Sequence, residues 1–245
     1  MLKVATKFTP EAQAFETATA AGCRYAEFWL DANWLNRWQA VAELAQQHPL
    51  GYAPHFPNGG DLSDATLREA VHLYRKLNCS AMVIHAPMLR RYGSPLLELD
   101  STLRLGVENH RLDEAELERW ATENTWLTLD VEHLWKFTLR DSPVDVLLAA
   151  VDNFLLRFGD KLVHVHLPGY APGCDEHRPM YCSREMVLPV LSLLADYQFD
   201  GLIVSEVNAQ FQNVHELRMD TLLFERWQTL RREVTSRKAS QKSVG

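Results

Sequence analysis

The sequence predicts an α/β chain folded as a (β/α)8 TIM barrel with a shortened fourth crossover, and three observations carry that prediction. Eight short apolar runs recur along 245 residues, and segments of helical period separate them. That count and that length match one barrel of eight strand–helix units. No glycine-rich phosphate loop follows any of the runs, which argues against the competing open, doubly wound sheet.

The strands are expected at Leu2–Lys7, Tyr25–Trp29, Gly51–His55, Ala81–His85, Thr102–Glu108, Trp126–Asp130, Leu162–His166 and Leu202–Glu206. Between the first two, Thr9-Pro10-Glu11 offers a hydroxyl cap followed by a proline at the first helical position. Trp34, Leu35, Trp38, Val41, Ala42 and Ala45 form the apolar stripe of the next helix. After Ser63, the residues Leu67, Ala70, Val71, Tyr74 and Leu77 form another at the spacing of a helix packed on a sheet. The segment Ala86–Ser101 is broken by prolines and arginines, so a loop or a single helical turn is expected there. Ser142-Pro143 repeats the start signal ahead of Val144–Phe158. Residues 1–232 then make a single barrel, and residues 233–245 form a basic tail expected to be flexible.

Composition narrows the function. Hydrophobic residues at 47% and charged residues at 23% are the balance of a globular protein able to bury its own core. A net charge of −7 with a pI near 5.8 argues against binding nucleic acid through overall charge. Met1 to Phe8 carries Lys3 and Lys7 within its apolar run, so it reads as a strand and not as a signal peptide. No run approaches the ~20 apolar residues that cross a bilayer. Four cysteines without a C-x-x-C pair are too sparse for a disulfide scaffold, and a cytoplasmic location is expected. The oligomeric state is left open.

The chemistry gathers at the strand ends, where barrels of this kind build their sites. His55, His85, Glu108, Asp130, His166 and Glu206 end six different strands and converge on one axial point. Each is a side chain that binds divalent metals, and the mixture of imidazole and carboxylate suits Zn²⁺ or Mn²⁺ better than Ca²⁺ or Mg²⁺. His133, Asp175 and His177 lie in adjoining loops. A lone histidine or acid at such a position is more often a hydrogen-bonded loop residue or a helix cap. Here, however, apolar strand interiors precede the acids, and several unpaired carboxylates in a desolvated mouth repel one another unless a cation neutralises them. His164 points to the same face as His166, one layer deeper, and reads as a core or supporting histidine. His48, His72, His110 and His215 carry no signal. Trp29, Phe56, Trp135 and Tyr170 offer apolar faces for a sugar ring, or else the upper layer of the core. Lys3, Lys7 and Arg111 are candidate anion contacts.

The series Leu-Gly-Val-Glu108-Asn, Leu-Asp130-Val-Glu-His133, Val-His-Val-His166-Leu and Val-Ser-Glu206 resembles the xylose isomerase-like barrel superfamily over nearly the whole chain. That group holds sugar (phosphate) isomerases and epimerases together with nucleases of the endonuclease IV type. In the isomerase branch, the resemblance implies one divalent metal on Glu108, Asp130, His166 and Glu206. Glu108 and Glu206 then move a proton α to a carbonyl, and His133 and Arg178 contact the substrate. In the nuclease branch it implies up to three ions. His55, His85 and Glu108 hold one, Glu108, Asp130, His166 and Glu206 a second, and His133, Asp175 and His177 a third, for phosphoester hydrolysis.

Two departures bear on the choice. Arg178-Pro-Met-Tyr follows His177 where the nucleases continue differently, and Phe56-Pro-Asn58 follows His55 where they place a DNA-contacting tyrosine. With the acidic surface, these features favour a metal-dependent isomerase or epimerase of a small sugar or sugar phosphate over a DNA enzyme. A multi-zinc phosphoester hydrolase is the alternative, and a catalytically silent barrel that serves as a binding partner is the third reading.

Overall fold

Eight parallel strands close into a barrel in sequence order, with the first hydrogen-bonded to the last. The computed structural model describes residues 2–174 and 177–242. The strands are β1 (Lys3–Phe8), β2 (Tyr25–Trp29), β3 (Gly51–His55), β4 (Met82–His85), β5 (Leu105–Glu108), β6 (Trp126–Asp130), β7 (Leu162–His166) and β8 (Leu202–Ser205). All eight fall inside or within one residue of the expected runs. Helices α1 (Ala12–Ala20), α2 (Ala32–Leu35), α3 (Trp38–Gln46), α4 (Asp64–Lys76), α5 (Ala86–Leu99) and α6 (Glu114–Glu123) make the first crossovers. The single turn α7 (Val131–His133), then α8 (Val144–Phe158), α9 (Arg184–Asp196) and α10 (Val214–Lys242) complete the ring. No helix among the described residues is long and apolar enough to cross a membrane.

Side chains alternate between the barrel axis and the helical layer, as strand geometry requires. Leu2, Phe8, Phe28, Ile84, Val107, Leu129, Val165 and Ile203 belong to the large core between strands and helices. The axis holds a smaller apolar plug of Ala5, Ala53, Leu202 and Val204. Gly106 also belongs to the axis, because a Cβ there would lie 2.6 Å from the Thr128 hydroxyl. Above this plug the axis turns polar, and the buried polar side chains Lys7, Glu27, His55, Glu108, Asp130, His164 and His166 begin.

Three local expectations need correction. The fourth crossover is compact in that helix α5 starts directly after β4, yet it is a helix of 14 residues and not a loop or single turn. Its first proline sits at the helix start, where the missing N–H breaks no bond. Met88, Tyr92, Gly93 and Leu96 make a buried stripe that outweighs the cost of Pro95, while Arg91 faces outward to Asp61 at 2.5 Å. Thr9 and Ser142 cap nothing. Helix α1 begins with Glu11 at its cap and α8 with Pro143 at its cap, and neither makes a side-chain capping bond. By contrast Ser63 does cap α4, accepting from the Thr66 N–H at 3.2 Å. The stripe from Trp34 to Ala45 is divided between α2 and α3. Residues 233–242 continue α10.

Helix α10 is tied to the barrel by Asp220, which is 3% exposed and accepts from the Ser205 hydroxyl at 2.6 Å and the Tyr181 N–H at 3.0 Å. Burial pushes its carboxyl up to about 6, against 3.8 for the free side chain. A folded-state value above the unfolded one favours the fold fully below pH 4, and that benefit is lost as the pH rises through 6. The shift is worth about 3 kcal/mol. Urea unfolding of chelator-treated protein is therefore expected to show the wild type losing up to that much stability relative to Asp220→Asn between pH 4 and pH 7.

Candidate metal centre

Strand register brings the polar residues together in pairs. Lys7 lies beside Glu27 across β1 and β2, His85 beside Glu108 across β4 and β5, and Asp130 beside His166 across β6 and β7. Glu108 is the hub. Its Oε2 lies 3.3 Å from Nε2 of His55, 3.2 Å from Nε2 of His85 and 3.7 Å from Nδ1 of His166. Its Oε1 lies 3.3 Å from Nδ1 of His133. On the far side, Nδ1 of His166 faces Asp130 Oδ2 at 3.6 Å and Glu206 Oε2 at 3.2 Å.

Asp130 is oriented by its own loop. Its Oδ1 accepts from the His133 N–H at 2.8 Å, and the Asn109 amide pairs with its backbone at both N–H and carbonyl. That leaves Oδ2 turned toward the centre. Asp130 Oδ2, His133 Nδ1 and His166 Nδ1 are buried and make no hydrogen bond. Buried polar atoms without partners are uncommon in native proteins and call for an explanation such as an ion. Asp130 and His166 face Glu108 at metal-ligating spacing, and His133 does so separately with His110. Among the described residues four donor groups have ligand atoms mutually within 4.8 Å: His55–His85–Glu108, Glu108–Asp130–His166, Glu108–His110–His133 and Glu27–His164–His166. The residues therefore fit a divalent cation, and imidazole with carboxylate is the donor set of Zn²⁺ and Mn²⁺.

Electrostatics agree with that fit. Burial alone drives the Glu108 carboxyl upward, but His166, His133, His55 and His85 outweigh it and hold it well below the ordinary range. Burial likewise opposes charge on His133, yet Asp130 and Glu108 raise it to about 9. His166 is raised well above its ordinary value against burial, by Glu27 and then Glu108. Protons on the imidazoles thus stand in for cations. Glu132 behaves oppositely: burial, then the nearby Asp130 charge, pushes it up to about 8, so it is neutral at pH 7.

The centre opens into a cavity of about 400 Å³ lined by Lys7, Trp29, His110, Arg111, His177 and Glu206, among others. A larger cavity of about 580 Å³ lies between α10 and β1, but no cluster of metal-ligating side chains lines it. At the mouth, Trp29 is 54% exposed and presents an open aromatic face. Arg111 and His177 both have left-handed backbones, with φ of 53° and 55°, a strained conformation that clusters at functional sites. His177 is further tied by its N–H to Glu132 at 3.0 Å.

Among the positions expected from sequence, His55, His85, Glu108, Asp130, His133, His166 and Glu206 come together, and His177 and Trp29 border the cavity. Asp175 lies outside the described residues. Four positions proposed for substrate contact are elsewhere. Phe56 packs on Tyr92 in the core, and Trp135 and Tyr170 pack on each other, with the indole donating to the Ser142 carbonyl and the phenol to Asp141. Arg178 serves the loop after β7, its backbone bridged to Gly169. These aromatics are large enough to complete the core, and burial claims them first.

Sequence reasoning missed three residues. His110 stacks on His85 with ring centres 5.1 Å apart and meets His133 at 4.8 Å. Glu27 and Glu132 are wholly buried acids. Glu27 stands two residues before the end of β2, and an acid between apolar neighbours in a strand was the signal for it.

No protein-family model matches the chain, and no curated protein matches it. Solved structures do. A D-tagatose 3-epimerase-like protein superposes with a TM-score of 0.65 at 16% identity, covering 96% of this chain and all of its own. Endonuclease IV from Thermus thermophilus gives 0.60 at 17% identity, covering 91% of this chain and 99% of its own. At these identities the likeness shows the fold, the closed eight-stranded α/β barrel that the sequence predicts.

Proposed function

We propose that the chain is a divalent-metal-dependent hydrolase of a small phosphoester, in which His55, His85 and Glu108 would hold one ion and Glu108, Asp130, His166 and Glu206 a second. The observation that carries this reading is that the buried Glu108 carboxylate is shared by three donor groups, two of them made with strand-end residues and the third with His110 and His133 at the cavity. His55 and His85 lie on one side of it, Asp130 and His166 on the other. In the one-ion isomerase reading, His55 and His85 only hold the Glu108 carboxylate and ligate no ion.

A charge count supports the same choice. Glu27, Glu108, Asp130 and Glu206 are each held ionised, and Lys7 supplies one fixed ammonium. The cluster therefore carries a net deficit of three positive charges once the imidazoles are neutral ligands. One divalent ion leaves it negative and repels an anionic substrate, whereas two make it positive and attract one. Bound ions of this kind polarise a phosphoryl oxygen and lower the pKa of water.

The chain's own residues do the rest. Glu206, with a side chain 23% exposed, reaches from the buried donors to the cavity. The His110 ring loses basicity through burial and then through His133 and His85, so it is neutral at neutral pH and able to accept a proton at the rim. Arg111, held over the Phe137 ring at 5.5 Å, offers its guanidinium to an anionic group. Trp29 gives a flat apolar face to the remainder of the substrate. The cavity's size suits a monosaccharide-sized molecule better than a polymer.

A second reading, a sugar (phosphate) isomerase or epimerase with one ion on Glu108, Asp130, His166 and Glu206, is favoured by the exposure of Glu206 at the floor of that small cavity. It asks Glu108 to act as a base while four imidazoles engage it, which makes it the weaker of the two.

Elemental analysis separates them. The hydrolase reading expects about two ions per chain, one lost in His85→Ala and both in Glu108→Gln, with turnover of p-nitrophenyl phosphoesters falling at least ~100-fold in either. One ion unaffected by His85→Ala, with deuterium uptake into ketoses, would instead establish the isomerase. Zn²⁺ affinity is also expected to climb with pH until about 9, because below that value a proton on His133 competes for the site. A flat affinity between pH 6 and pH 8 would contradict the assignment of His133 and His166 to the centre.

A further inference from the structure

Beneath the second donor group lies a set of buried charges to which the strand-end pattern gives no role. The Lys7 ammonium sits 2.9 Å from Glu206 Oε1 and 3.1 Å from Glu27 Oε1. The other oxygen of Glu27 accepts from His164 Nε2 at 2.6 Å and lies 3.1 Å from His166 Nε2. Glu27 and His166 are fully buried, His164 is 1% exposed, and the Lys7 side chain is 9% exposed.

Two consequences follow from the geometry. With Nε2 of His166 engaged by Glu27, only Nδ1 is left for the centre, where it faces Glu108, Asp130 and Glu206. A carboxylate on the outer nitrogen of a ligating histidine fixes its ring and raises its donor strength. Lys7 acts in the opposite sense on Glu206. It holds Oε1 and leaves Oε2 as the oxygen turned to His166 Nδ1. The ammonium also stands within ion-pair distance of a carboxylate that the cation needs.

We propose that Lys7 is a resident counter-cation that competes with the second ion for Glu206, while Glu27 is the positioning residue that turns His166 toward that ion. The second ion would then be held by Glu108, Asp130, His166 and Glu206, with the Glu206 carboxylate shared with Lys7, and it would exchange more readily than the ion on His55, His85 and Glu108. This rests on the two-ion reading.

The test uses opposite signs. Chelator-treated protein is titrated with Zn²⁺ against a competing dye, and Co²⁺-loaded protein is followed by its d–d absorption. Lys7→Met is expected to tighten the second ion about tenfold by removing a like charge. Glu27→Gln is expected to weaken it about 10–100-fold and to shift the Co²⁺ spectrum. In both variants the first ion is expected to shift by less than the second, since Lys7 and Glu27 reach His55 and Glu108 only through longer-range charge. Lys7→Met leaves the buried Glu27 and the half-buried Glu206 short of a counter-charge. Should it fail to fold, the double variant with Glu27→Gln restores the balance, and it is expected to hold the second ion more tightly than Glu27→Gln alone. A second ion that weakens or stays unchanged on loss of Lys7, or two ions that shift together, overturns the proposal. A wild type that binds one ion fails earlier, at the two-ion reading, and takes this proposal with it.

Discussion

Glu108 is a carboxylate almost wholly out of water, with imidazoles from β3, β4, β7 and the turn after β6 converging on its two oxygens. Burying one ionised carboxylate costs several kcal/mol unless nearby charge offsets it. Here three more ionised acids, Glu27, Asp130 and Glu206, share the same low-dielectric space. Without bound cations, protonated His133 and His166 and the Lys7 ammonium carry the compensation. Cations that replace those protons satisfy the same requirement with stronger bonds, so the pull toward a metal comes from the charge balance itself.

The barrel makes that concentration possible. Parallel strands in matched register end at one level, so residues distant in sequence meet as neighbours, as Asp130 and His166 do. The small plug beneath them leaves room for side chains of this length to point inward. The helical layer supplies the apolar burial that tolerates a polar floor, because nearly all the large hydrophobic residues lie between strands and helices.

Much of this was legible because it is periodic. Strand ends are marked by a change from apolar to ligating residues, and the six positions read that way come together with His133 from the adjoining loop. The deeper layer was harder to see. Glu27 lies inside a strand where alternation alone gives its face but not its partners, and Lys7 reads equally well as a surface lysine until β8 delivers Glu206 beside it. His110 follows the end of β5 by two residues, and only the fold shows its ring between those of His85 and His133. The fourth crossover was obscured by composition. Prolines and arginines suggested a loop, but one proline sits where a helix accepts it and the buried stripe decides the rest. The aromatics Phe56, Trp135 and Tyr170, read from sequence as either a face for a sugar ring or the upper layer of the core, are buried in the core.

Depth orders the chemistry. The donors nearest the axis, Asp130 and His166, are fully buried and fixed by a hydrogen-bonded surround, so they define where an ion sits without meeting substrate. Glu206 is the exception, since it belongs to the same group yet reaches the cavity. A ligand at that boundary senses both the ion behind it and the molecule in front. Lys7 lies beside the same carboxylate, so the residue most able to couple substrate binding to ion affinity is also the one whose charge is shared. A molecule that draws on Glu206 relaxes its hold on Lys7 and the ion together. On the proposed two-ion reading, an anionic substrate and an exchangeable second ion would be two expressions of one shared carboxylate.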